Sequence, residues 1–245
     1  MRPLRLKDYI GETYLEDVSL CDEVIRFFEG CDRYRVTGTD ESIANHKEEG
    51  GDILVREKNK TRKCKDLTLW LPDLEQESHK FLIPLFENIC QVRDKYAVRT
   101  GTRLLKTVIV EGINIQKYVP PLDCYSGLHF EQSTEVEIFA RRMYVFMVYL
   151  NDVQKAGETF FPGQKRKVKP RRGKLLIWPA HYTHPHKGIP TPETKYILTG
   201  WFTALYGRET EGELNAAIHH YHVMHTPRGY FDRPSSDGSP IPTIL

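Results

Sequence analysis

From Thr107 onward the hydrophobic pattern of this 245-residue chain changes period, and that change limits the folds open to it. Upstream the apolar residues follow helical spacing. Val24, Ile25, Phe27 and Phe28 form the apolar side of a helix predicted over Leu20–Glu29, with Asp17 or Ser19 to cap it and Gly30 to stop it. A second helix is expected after Pro72, through LEQESHKFLIPLFENICQVRDKY. Pro84 should kink or split it, because an interior proline removes a backbone donor and collides with the preceding turn. Between the two helices, Gly38 to Lys65 is rich in charge and glycine and is expected to be a long surface excursion, a candidate lid.

Downstream, TVIVEGINIQKY (107–118) alternates apolar and polar residues, as a half-buried strand does. Tyr144–Leu150 is a continuous apolar run, suited to a strand buried on both faces, and Leu175–Trp178 and Tyr196–Leu205 add two more β segments between Pro and Gly punctuation. Helices first and short strands later predict a mainly β fold with flanking helices. The expected organisation is one domain over 1–245: a helical buttress at about 14–100, a β core at about 105–205 and a loose tail from 206 to 245.

Charge and cysteine content narrow the function classes. Lys and Arg number 35 against 33 Asp and Glu, and the basic runs Arg56–Lys65 and Lys165–Lys174 are short and set among turn residues. A dedicated nucleic-acid binder carries a stronger basic excess or a clustered basic face, so no nucleic-acid partner is expected. The five cysteines (Cys21, Cys31, Cys64, Cys90, Cys124) are odd in number and lack a CxxC, which argues against a disulfide framework or zinc knuckle. No apolar run approaches 18 residues and the N-terminus lacks a signal-peptide core, so no membrane partner and a cytoplasmic location are expected.

The stretch that can carry chemistry is YSGLHFEQ. His129 and Glu131 are two residues apart, so on an extended segment they point to the same side. One imidazole and one carboxylate on a shared face are two thirds of a 2-His-1-carboxylate site for non-haem Fe(II). An HxE pair by itself arises by chance too often to specify a metal. A third ligand would have to come from WPAHYTHPHKG, where His181, His184 and His186 are all available. The C-terminal HHYHVMH, with His219, His220, His222 and His225, has the composition of a metal tract, but its irregular spacing suits a solvated helix or tail better.

Read together, KYVPPLDCYSGLHFE, RRMYVFMVYLNDVQKAGETFFP and KPRRGKLLIWPAHYTHPHKGIPTPETKYILTGWF resemble the prolyl 4-hydroxylase branch of the 2-oxoglutarate/Fe(II)-dependent dioxygenases. DVSLCDEVIRFFE is similar to the family's N-terminal helix, so the resemblance covers most of residues 14–205. It implies a double-stranded β-helix, the jelly-roll core shared with cupins. It implies iron on His129, Glu131 and His186, the last preceding the turn HKGIP. Lys195 matches the cation that grips the far carboxylate of 2-oxoglutarate, a need that a dianion entering a partly dry barrel imposes. Tyr118, Thr159 and Trp201 match residues around the same co-substrate, and Arg142 and Tyr125 match the substrate side. The implied cofactors are Fe(2+), 2-oxoglutarate and O2, with ascorbate as a candidate reductant. The implied partner is a proline-containing peptide or protein, hydroxylated at the procollagen-proline type of position with release of succinate and CO2. Rival readings keep the cofactors and change the substrate to a free amino acid or small metabolite, or make the chain an inactive β-barrel binding module.

Three features depart from the family pattern. Glu131 stands where the usual ligand is Asp and is one methylene longer. The loop between Tyr118 and His129 is one residue longer. The anchor is Lys, where related branches use Arg.

Overall fold

The computed structural model describes residues 2–31, 35–37, 62–69, 77–121, 123–134, 137–207, 210 and 213. In it the apolar run near residue 145 becomes the centre of a large antiparallel sheet. In chain order the elements are β1 (Arg5–Lys7), β2 (Ile10–Tyr14), α1 (Leu20–Glu29), β3 (Arg35–Thr37), β4 (Arg62–Leu69), a 3-10 turn (Glu77–Leu82) and α2 (Ile83–Thr100). There follow β5 (Thr107–Val108), β6 (Ile113–Tyr118), β7 (Cys124–Tyr125), α3 (Glu137–Ala140), β8 (Arg142–Tyr149) and β9 (Thr159–Phe161). The last four are β10 (Arg166–Val168), β11 (Lys174–Pro179), β12 (Lys187–Gly188) and β13 (Lys195–Ala204).

The large sheet runs β1-β2-β11-β8-β13-β6-β4-β3, with β5 added on β13 and β7 on β4. A second, three-stranded sheet runs β10-β9-β12. The period-2 pleat turns successive residues to two buried faces, which explains the continuous apolar runs within β8 and β11. Tyr144, Phe146 and Val148 of β8 join Leu175, Ile177, Leu198 and Phe202 on an outer face covered by Val24 and Phe28 of α1 and Leu85, Phe86 and Ile89 of α2. The alternate residues Val145, Met147 and Tyr149 join Leu176, Trp178 and Ile197 on an inner face that packs on Phe161 and Val168 of the small sheet. Burying a large apolar side chain on either face contributes roughly 1.5–3 kcal/mol, so neither face tolerates a shift of register by one residue. Two antiparallel sheets closing over one inner face make the jelly roll, with helices buttressing the outer face.

α1 has the predicted bounds, and Gly30 ends it. Pro84 lies in the first turn of α2, after the 3-10 turn, so the long predicted helix is split where the proline demands it. The single strand expected over 107–118 is instead two. Both β5 and β6 pair with β13, and residues 109–112 break the ladder where buried Glu111 turns to an arginine on β8. The end of the expected surface excursion, Arg62–Lys65, is instead the first half of β4, a strand between β3 and β6. The rest of that excursion and the His219–His225 tract lie outside the described residues. Among the described residues, no helix is long and apolar enough to cross a membrane.

Candidate functional site

The HxE segment is held extended by backbone pairing with a distant loop. The His129 N–H donates to the His186 carbonyl at 3.1 Å, and the His186 N–H donates back to His129 at 2.8 Å. The N–H groups of Glu131 and Gln132 both donate to the Ala180 carbonyl beyond β11, at 3.1 and 3.0 Å. An extended backbone turns residues 129 and 131 to one side and 128 and 130 to the other, where Leu128 and Phe130 are exposed.

Three ligand atoms converge as a result. His129 Nε2 and His186 Nε2 each lie 3.4 Å from Glu131 Oε1, and the three donor groups lie within 4.8 Å of one another. His129 Nδ1 is 2.8 Å from the Gly127 carbonyl and His186 Nδ1 is 3.1 Å from the His184 carbonyl. A carbonyl oxygen only accepts, so Nδ1 of each ring is a donor and Nε2 is the atom left to face Glu131 in the metal-free site or a cation in a loaded one, as metal-binding histidines are commonly held. Burial by itself would push the Glu131 carboxyl up. The two imidazoles against it outweigh that effect and hold it well below the ordinary carboxylate range, so the acid is anionic. Two imidazole nitrogens and one carboxylate oxygen make a donor set that suits Fe(II). Side-chain exposures of 18% for His129 and 17% for Glu131, against 8% for His186, leave the HxE pair more open to solvent than the distal histidine.

Aromatic rings frame it. Tyr125 lies flat on His129, centroids 3.7 Å apart and planes 6° from parallel. Trp178 and Phe161 pack on His186 at 5.0 and 5.5 Å.

The other candidates are distributed along the inner face. Lys195 begins β13 opposite Tyr118 and is 5% exposed. Its ammonium donates to the Gly157 carbonyl at 3.2 Å and sits 4.9 Å from the centre of the Tyr118 ring. Among the described residues no carboxylate forms an ion pair with it, and burial pulls its pKa down to about 8. Thr159 shares a 2.6 Å hydrogen bond with the hydroxyl of Tyr149, which donates on to the Val168 carbonyl. The Tyr118 hydroxyl donates to Gln116 at 2.6 Å.

Two residues are used differently from the resemblance. The Trp201 indole N–H donates to Glu131 Oε2 at 3.0 Å, beside the acid of the cluster. Arg142, expected on the substrate side, is turned inward. Its Nε donates to Glu111 at 2.9 and 3.1 Å, its Nη2 also bonds Glu111, and its Nη1 donates to the Glu131 carbonyl at 2.9 Å. Of the alternative histidines, His184 has both ring nitrogens engaged, with Thr183 and with the Asp8 carbonyl, so His186 is the one brought to the HxE pair. Glu111 and Tyr149 were not anticipated. The only sequence signal for Glu111 was an acid inside an apolar run.

With that geometry in view, residues 113–203 match the 2OG-Fe(II) oxygenase superfamily. The matched stretch runs from the start of β6 into β13 and carries every site residue expected from the sequence. The superfamily works with Fe(2+), 2-oxoglutarate and O2, and these are the cofactors that the match implies here. A protein of Acanthamoeba polyphaga mimivirus, provisionally named a prolyl 4-hydroxylase, is 23% identical over 201 residues, covering 74% of this chain and 68% of its own length. The viral collagen prolyl hydroxylase of Paramecium bursaria Chlorella virus-1, solved with 2-oxoglutarate, superposes with a TM-score of 0.55 at 17% identity over 81% of this chain and 97% of its own. A Trichoplax adhaerens prolyl hydroxylase, solved with a hypoxia inducible factor peptide, gives a TM-score of 0.57 at 14% identity over 80% and 84%. The chain is therefore similar in sequence to a protein named a prolyl 4-hydroxylase and shares the fold of the two solved prolyl hydroxylases.

Proposed function

We propose that this oxygenase hydroxylates a prolyl residue in a peptide or protein, and that His129, Glu131 and His186 hold its Fe(II). The observation that carries the reading is the meeting of two Nε2 atoms and one carboxylate oxygen at 3.4 Å, with both Nδ1 atoms already committed to carbonyls. When bound, Fe(II) with 2-oxoglutarate and O2 supplies the oxidation that turns a C–H bond into C–OH and releases succinate and CO2. The chain's own residues bind, orient and exclude water.

Lys195 offers a buried ammonium with one carbonyl partner, which leaves donors for the far carboxylate of a dianion. The Tyr118 and Thr159 hydroxyls border that end of the inner face, and Phe161 and Trp178 keep the wall dry. Tyr125, stacked on His129 at the open side, is the substrate-side aromatic. The prolyl substrate is supported by what the relatives are named for, a prolyl 4-hydroxylase and a collagen prolyl hydroxylase, and by the chain's YLND and HKGIP text.

The test is succinate release with Fe(II) and 2-oxoglutarate, comparing a collagen-like proline-rich peptide with free L-proline and other amino acids. Peptide-stimulated turnover is expected. Turnover only with a free amino acid moves the reading to a small-molecule oxygenase, and none with any substrate leaves a binding module. Anaerobic binding should show loss of iron in His129→Ala and mainly weakened 2-oxoglutarate in Lys195→Ala.

A further inference from the structure

Glu131 carries one more methylene than the aspartate common at this position, and so one more torsion must be fixed before its carboxylate can face a cation. The surroundings of the side chain are unusually complete for that purpose. Its two oxygens face different groups: Oε1 faces the two imidazoles, whereas Oε2 accepts the Trp201 indole N–H at 3.0 Å. Its own carbonyl accepts Arg142 Nη1 at 2.9 Å, and the same Nη1 lies 3.9 Å from Oε2. Arg142 is in turn immobilised. Its guanidinium is clamped by Glu111, which is 3% exposed, and lies 3.8 Å from the Trp201 ring centre and 4.2 Å from that of Phe139. Thr203, two residues after Trp201, donates to Glu111 at 3.4 Å and closes the arrangement on β13. Indole, guanidinium and buried acid are thus one rigid group that touches residue 131 at both its backbone and its carboxylate.

We infer that Glu111, Arg142 and Trp201 form a positioning brace that fixes Glu131 as a one-oxygen metal ligand, with Oε2 reserved for the indole. The inference rests on the metal reading proposed above and assigns to Trp201 and Arg142 a task different from contact with co-substrate or substrate. A planar donor matters here because an indole N–H offers one direction only, and a guanidinium stacked on that indole cannot swing away without breaking its bonds to Glu111.

The brace is tested by Mn(II) affinity, followed by calorimetry and by the paramagnetic resonance of free Mn(II), on the full chain without turnover. The variants are Trp201→Phe, Glu131→Asp, the two combined, and His129→Ala. Trp201→Phe keeps an aromatic ring, though a smaller one, and removes the donor; it should weaken Mn(II) by about tenfold or more, the range found when outer partners of metal ligands are lost. In the Glu131→Asp background the shorter acid does not reach the indole, so the same substitution should change affinity by less than about twofold. An equal loss in both backgrounds, or none in either, overturns the brace, since the indole would then act by packing or not at all. Metal-free melting curves that match wild type for Trp201→Phe keep a folding defect from imitating the effect. Failure of the metal reading looks different: wild type would not bind Mn(II), or His129→Ala would bind it as well as wild type does, and the brace would fall with it.

Discussion

Lys195 is the residue at which stability and function oppose each other most directly. Its pKa falls from 10.5 to about 8 because burial penalises the ammonium. A shift of that size corresponds to about 3 kcal/mol between the protonation states, and at neutral pH the folded chain still carries the charge. The unfolded chain binds the proton more tightly, so between about pH 8 and 10.5 this group adds stability as pH rises, and below pH 8 it is a constant cost. Lys195→Met should therefore raise the metal-free stability at pH 7 by on the order of 1–3 kcal/mol in urea unfolding, while removing 2-oxoglutarate binding. The charged form is also the one that holds a dianion. Affinity for 2-oxoglutarate should fall about tenfold per pH unit above about pH 8, and Lys195→Arg should flatten that dependence. A titration by calorimetry across pH 7–9.5 that shows no slope for the wild type would remove Lys195 from the co-substrate site. The candidate site was only partly legible at this scale. The pairing of His129 with Glu131 follows from the two-residue period of an extended chain, but spacing left three histidines open as the third ligand. His186 is distinguished by a backbone bridge, and His184 by a carbonyl on the β1–β2 turn, neither of which leaves a mark in local sequence. The indole bond to Glu131 and the Glu111–Arg142 pair are likewise long-range geometry, invisible to periodicity.

At the scale of elements, the central strands were legible because they are apolar on both faces, and α1 because its apolar side and its glycine agree. β4 was not. It reads RKCKDLTL, and its buried residues include Asp66, which accepts a bond from Cys64, so charge did not mark exposure there. β1 and β2 have too few residues to show a period. The tight approach of β8 and β13 also went unread, although it governs packing on the outer face beneath the helices. Gly200 lies opposite Phe146 across the ladder, and a Cβ at Gly200 would meet the Phe146 ring at 2.4 Å. Gly200→Ala should accordingly destabilise the chain by about 1–3 kcal/mol through overpacking. Adding Phe146→Leu should recover part of that loss, because the obstructing atoms belong to the ring and not to backbone. A double-mutant cycle by urea unfolding measures the coupling, and strictly additive losses would show that the ring moves aside freely.

For the whole molecule, the decisive property is that the ligands are remote in sequence and adjacent only when both sheets are closed. His129 and Glu131 sit between β7 and α3, His186 comes just before β12, and Lys195 opens β13. An unfolded chain has no such cluster, so a metal and co-substrate that bind there bind the native state alone and stabilise it by RT ln(1 + [L]/Kd), about 2.7 kcal/mol at a hundredfold excess over Kd. For a chain of this size each kcal/mol is worth roughly 2–4 °C, which predicts a rise in Tm of about 5–10 °C on adding Mn(II) with 2-oxoglutarate under anaerobic conditions. His186→Ala removes the bridge's imidazole while its backbone bonds to His129 remain available, so its metal-free Tm should change far less than its ligand response. The expected pattern is a wild type that gains with Mn(II) and gains further with 2-oxoglutarate, a His186→Ala that gains with neither, and a Lys195→Ala that gains with Mn(II) but not with 2-oxoglutarate. Equal shifts in all three would mean that the ions act on the surface at large, and the two ends of the inner face would then have no common ligand to hold.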